Sequence, residues 1–167
     1  MGNRSAHCKG NFMLKVPLTL LSKAGVAIVL ISAWGAASAQ MTPVGRWHSM
    51  DDKTGEIKSE IVITDQGGVL SGRVDKLLRK NADQAARCTE CSDDRKDKPM
   101  LGLEIIRQAK KADGKDVWED GKILDPENGK TYALRLTPIE GGKKLEVRGS
   151  IAFIGRTQTW VRVAAQP

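Results

Sequence analysis

Only a few side chains in this sequence have types and spacings that suggest chemistry. Cys88 and Cys91 stand three residues apart in Cys-Thr-Glu-Cys. Such a pair can form a disulfide, exchange electrons as a dithiol, or supply half of a zinc site. Zinc needs further ligands, and His48 is the one histidine after residue 40, so no metal is expected. Redox-active pairs of this spacing open a helix after a strand, and no βαβ pattern surrounds this one. A structural disulfide is the first reading and a redox pair the second.

The other candidates divide quickly. A hydrolytic triad would have to use His48, yet no Gly-x-Ser-x-Gly elbow presents a nucleophile. His48 reads as a strand side chain near a rim, and no catalytic activity or cofactor is expected. Asp125 and Glu127 could serve as paired carboxylates, but Pro126, Asn128 and Gly129 make them a turn whose Asp caps its own backbone. Asp93, Asp94 and Asp97 alternate with Arg95, Lys96 and Lys98. That is a solvated loop, without the fixed Gly and final Glu of a calcium-binding EF-hand. Arg148, Arg156, Gln158 and Trp160 remain. In an extended chain Trp160 shares a face with Gln158 and Arg162, opposite Thr159, Val161 and Val163. Turned inward, that face suits a carboxylate or another anionic head group. Turned outward, it merely packs Trp160 under a neighbouring loop. Both orientations remain open.

Eight alternating runs must position these residues. They are 45–50, 57–64, 69–78, 100–108, 117–124, 131–138, 143–153 and 156–163. Turn residues separate them, among them Gly67-Gly68, Asp113-Gly114, Gly129 and Gly141-Gly142. Residues 79–99 form the one long loop, and Asn81 with Gln84 offers a cap for one or two helical turns. Short antiparallel runs in chain order favour an up-and-down eight-stranded barrel whose first and last strands pair. A sandwich, or an open barrel plugged by the long loop, is the alternative.

Residues 1–39 read as a signal peptide. Arg4, Lys9, Lys15 and Lys23 precede an apolar run, and Ala37-Ser38-Ala39 gives a cleavage pattern. The run is short for a membrane span. A single domain over 40–167, periplasmic or secreted, is therefore expected, with no stable membrane insertion after cleavage. Removing the leader reduces the formal net charge from +7 to +3. With five aromatic residues left, the mature chain lacks the charge and stacking platforms of a nucleic-acid binder.

Gly45-x-Trp47 resembles the N-terminal signature of lipocalins and other calycins. The resemblance implies that Trp47 packs at the closed end of a barrel beneath an Arg of the last strand, here Arg162, with Gly45 at a tight entry. A longer set of matches is similar to exported bacterial proteins grouped as domain of unknown function 2147. It comprises Pro43-Val44-Gly45-x-Trp47, Cys88-x-x-Cys91, Lys98-Pro99-Met100-Leu101-Gly102, the run from Gly121 to Tyr132, Val147-Arg148-Gly149 and Gly155-Arg156-Thr157-Gln158-Thr159-Trp160. One departure is Ser150, where that family would carry an aromatic residue. The resemblance implies a lipocalin-like barrel without an established activity. The expected function is therefore an envelope barrel holding a small amphipathic or anionic ligand near Arg148, Arg156, Gln158 and Trp160. The alternative is a structural or interaction protein with a packed bore.

Overall fold

The computed structural model describes residues 41–164, so the expected signal peptide lies outside the described residues. Alternation of apolar and polar residues produces eight strands: β1 (Gly45–Met50), β2 (Ile57–Gln66), β3 (Val69–Leu77), β4 (Glu104–Lys111), β5 (Trp118–Asp125), β6 (Lys130–Ile139), β7 (Lys144–Ile151) and β8 (Ile154–Arg162). All neighbours are antiparallel and follow chain order, and β8 returns to β1, so the sheet closes into a barrel. Closure leaves no open edge for pairing with another chain. A sandwich and an open barrel are thereby ruled out.

The bore is filled from one end. Trp47, Ile61, Ile63, Leu70, Ile106, Leu136, Leu145 and Trp160 are buried there, with Trp118 completing the layer. Cross-strand register explains the grouping: Trp47 faces Ile61, Trp118 faces Leu136, and Leu145 faces Trp160. Stacking large side chains in this way gives most of the burial energy available to a domain of this size. This closed end carries the β2–β3, β4–β5 and β6–β7 turns. The other end, the mouth, carries the longer β1–β2 and β3–β4 connections, the β5–β6 turn and the β7–β8 hairpin.

Two local expectations fail. No helix forms between 81 and 87. Asn81 adopts a left-handed φ of 61° instead of the extended backbone of a helix cap, and only isolated turns follow. Residues 100–103 are not part of β4, which begins at Glu104. Gly102 sits at φ 79° and its amide donates to Val74 O at 2.8 Å, which bends the chain before the strand starts.

The sheet closes without the long loop, which is tied to β4 and β6 through Arg95 and abuts Gly129 of the β5–β6 turn through Glu90. Cys88 and Cys91 are bonded within it. Arg95, only 3% exposed, donates to Glu104 O at 3.0 Å and to Thr131 Oγ1 at 3.2 Å. Asp93 neutralises it through both carboxylate oxygens. Arg95 is thus a buried anchor rather than a member of a solvated charge run. Leu124, which alternates with the inward-facing Ile123, is buried together with Cys88 and Cys91 of the loop, in one cluster with the barrel core.

Candidate functional site

At the closed end the guanidinium carbon of Arg162 lies 4.1 Å from the centroid of the Trp47 ring. The side chain also donates to Thr42 O, Val44 O and Gly142 O at 2.6, 2.8 and 2.5 Å. Trp47 Nε1 donates to Pro43 O at 2.7 Å. Gly45 has φ 133°, and a Cβ there would lie 2.6 Å from Arg162 Nη1. Burial pushes the pKa of Arg162 down, as removal of water from a cation must. Gly45, Trp47 and Arg162 therefore form one structural cluster that locks the chain ends together. Its polar atoms serve backbone carbonyls of the chain itself.

The mouth is different. Inward-facing Ser59, Leu77, Ile123, Tyr132 and Gln158 are only partly buried, in contrast to the sealed layer below. Their chemistry divides by side. On the β8–β1–β2 arc the Ser49 and Ser59 hydroxyls are 2.7 Å apart, and Gln158 Nε2 donates to Asp52 Oδ2 at 3.1 Å. The exposed Arg156 pairs with the same carboxylate. Trp160 Nε1 donates to Gln158 Oε1 at 3.4 Å, so a polar chain runs from the rim to the buried floor. Leu77, Ile123 and Tyr132 line the remaining wall from β3, β5 and β6.

Of the four residues expected around a ligand, this arrangement unites three. Arg156, Gln158 and Trp160 face the bore, which resolves the orientation of β8. Arg148 does not join them. It is exposed, pairs across the ladder with Thr157 and Arg135, and belongs to the outer wall by alternation with buried Val147. Ser150 faces outward as well, opposite Ala133, so the aromatic residue expected at that position would not have lined the bore. Asp52 was missed. It sits in a loop 104 residues before Arg156, and no local pattern links the two.

Other charge clusters are internally satisfied. On the outer wall Glu60 is 4% exposed beneath Arg46 at 2.6 Å and Lys76 at 3.0 Å, with His48 Nε2 at 3.7 Å. Burial alone would push its carboxyl up; hydrogen bonds from Arg46 and Lys76 outweigh that and hold it below the ordinary carboxylate value. His48 thus lies on the outer wall rather than at a rim. An open cleft of about 280 Å³ lies nearby, lined by Arg73, Asp94, Arg95, Lys98, Glu104 and Arg107 among others. Arg107 grips both oxygens of Asp94 at 2.9 Å and Glu104 Oε2 at 2.7 Å, leaving little charge for a ligand. That pairing holds Asp94 well below, and Arg107 above, their usual ranges. Asp125 accepts the Glu127 amide at 3.0 Å as a turn residue, and Glu127 pairs with Lys58 and Arg79. Among the described residues no group of His, Cys, Asp and Glu could hold a metal.

Residues 45–162 match the family model described as "Uncharacterized protein conserved in bacteria (DUF2147)". The chain belongs to the DUF2147 family. The match runs from the first residue of β1 to the last of β8, so the family's unit is the whole barrel. Comparison with curated proteins finds no match. Among solved structures the barrel is similar to protein HP1028 from Helicobacter pylori, described as belonging to the lipocalin family. The TM-score is 0.62 at 18% sequence identity, over 72% of this chain and 82% of that one. The likeness establishes a lipocalin-like fold.

Proposed function

We propose that this DUF2147 barrel is a binding module that holds one small amphipathic, anionic molecule in the upper half of its bore. The observation that carries the proposal is the two-sided mouth. Half-buried Leu77, Ile123 and Tyr132 offer an apolar wall, facing an arc of Ser49, Ser59, Gln158 and Arg156. An apolar pocket with a few convergent polar groups is the usual form of a small-molecule site. A ligand carboxylate or similar group would displace Asp52 from Arg156 and Gln158, and its tail would rest on the Trp160 floor. The Asp52 pair supports selectivity, because a neutral ligand would leave that ion pair intact and gain nothing from it. No catalytic role is proposed, since no nucleophile, base and oxyanion donors converge there.

We also propose export, with residues 1–39 as the signal and a periplasmic or secreted destination. The Cys88–Cys91 disulfide supports an oxidising compartment. Native mass spectrometry of protein purified from its own source tests both proposals at once. The expected spectrum shows a polypeptide beginning at Gln40 together with a reproducible added mass, which Gln158→Ala and Arg156→Ala diminish. A bare polypeptide mass would favour the packed-bore alternative. A chain retaining residues 24–39 would overturn the assignment to export.

A further inference from the structure

The β7–β8 hairpin ends in Ile151-Ala152-Phe153-Ile154, and these side chains are the least covered large apolar groups of the barrel. Phe153 is fully exposed, Ile154 is 85% exposed and Ile151 is 54% exposed. Isolated exposed apolar residues are ordinary, but three on one narrow projection are not. The turn itself uses Ala152 at φ 51°, where Asn or Gly would be less strained and more soluble. As a result no polar side chain interrupts the tip. Ile151 pairs with Ile154, so the tip's ladder closes before the turn and leaves few backbone groups needing water.

The surroundings indicate what covers this tip. Between Val147 and Val163 the chain has no Asp or Glu, while Arg148 and Arg156 lie within five residues of the apolar group. Arg156 is neutralised by Asp52. Arg148 donates only to Thr157 Oγ1, at 3.4 Å, and has no ion-pair partner among the described residues. Arg148 lies three residues from Ile151 on the opposite, outward face of β7, so an apolar tip with one unneutralised cation behind it combines, on a small scale, the two attractions of an anionic membrane surface. A second copy fits less well. A stable protein interface needs roughly 800 Å² from each partner, and four residues at the end of a two-stranded projection supply only a small part of that.

We propose that the Ile151–Ile154 tip is a membrane-contact element that seats the barrel mouth on an anionic lipid surface, with Arg148 over the head groups. This does not depend on whether the bore holds a ligand. The geometry would nevertheless place the mouth, which shares that end of the barrel, next to the bilayer.

Co-sedimentation of the purified protein with vesicles tests the proposal, using phosphatidylcholine alone and phosphatidylcholine mixed with phosphatidylglycerol. Tighter binding is expected on the mixed vesicles. The double substitution Phe153→Ser/Ile154→Ser should weaken it at least about tenfold, the loss expected from keeping two large apolar side chains in water. Arg148→Gln should weaken binding to mixed vesicles about fivefold and leave binding to neutral vesicles unchanged. Because all three side chains are exposed, the variants should unfold at the parent's temperature, which thermal denaturation checks. Failure of the parent to bind either vesicle, or equal binding by the double variant, would overturn the proposal. So would a parent dimer in sedimentation velocity that the double variant loses, since that would give the tip to a second copy of the chain.

Discussion

Arg162 and Arg156 lie six residues apart on the same face of β8, yet their surroundings give them different work. Arg162, itself half-buried, stacks on the fully buried Trp47 and serves three backbone carbonyls. Removing it would lose a partly buried cation–π contact and leave those carbonyls short of a donor. Arg162→Ala should cost about 2–4 kcal/mol in chemical denaturation. Arg156 is 65% exposed and makes a rim ion pair, so Arg156→Ala should cost less than about 1 kcal/mol. Equal losses for the two variants would separate the closure from Arg162. The importance of position 162 is legible because Gly45-x-Trp47 implies a cationic partner at the end of the last strand. The partner of Arg156 is not, since Asp52 meets it only when two distant loops share one rim. Glu60 is illegible for a related reason. A lone glutamate in an alternating strand reads as solvent-facing, and only the β1–β2–β3 register places Arg46 and Lys76 over it.

At the scale of elements, strand limits were readable wherever a turn depends on its own residues. Gly67, Gly68, Gly129, Gly141 and Gly142 all have φ between 65° and 86° where the sequence suggests turns. Residues 79–103 were hard to read because tertiary contacts decide their path. Arg95 reaches β4 and β6, and the backbone of Gly129 fits so closely against the Glu90 carbonyl that no Cβ could stand there. Neither contact has a local signature. The β1–β2 loop is organised locally and allows a pH prediction. Asp51 accepts the amides of Lys53 and Thr54 at 2.9 and 3.1 Å and the Arg79 guanidinium at 2.8 Å. These bonds, the two from backbone amides foremost, lower its pKa from an ordinary 3.8 to about 2. Between those values the unfolded chain binds the proton more readily than the native one. The stabilisation is therefore complete above about pH 4 and disappears as pH falls through about 2. Asp51→Asn should melt below the parent at neutral pH, and the gap should narrow across that acid window. A gap of constant size from pH 7 to pH 2 would show that the carboxylate charge is not what orders the loop.

For the whole molecule, the seam between β1 and β8 separates a barrel from a sheet. It is also the thinnest ladder. Two residue pairs, Trp47 with Arg162 and His48 with Val161, join these strands, and the Val163 amide donates to Arg46 O at 2.9 Å. By contrast β7 and β8 share eight pairs. Backbone bonding alone would make this the first place to open. The Arg162–Trp47 stack and the carbonyls gathered around it reinforce the seam at its closed end only. Toward the mouth no residue pair joins β1 and β8 past His48, and Asp52 links the two sides through the side chains of Arg156 and Gln158. Opening should therefore be polarised, starting at the mouth and halting at Trp47 until the whole sheet unfolds. Native-state hydrogen exchange can follow it, because local openings differ in free energy from global unfolding. The amide of Val161 should exchange through a local opening, ahead of the Trp160 and Gln158 amides on the same strand that face β7. Asp52→Ala should quicken Val161 exchange without changing the global unfolding free energy, whereas Arg162→Ala should quicken that exchange and also lower the global unfolding free energy. If Val161 exchanges only with global unfolding, the seam is no weaker than the other ladders. In that case side-chain packing across the bore, rather than the β1–β8 hydrogen bonds, keeps the barrel closed.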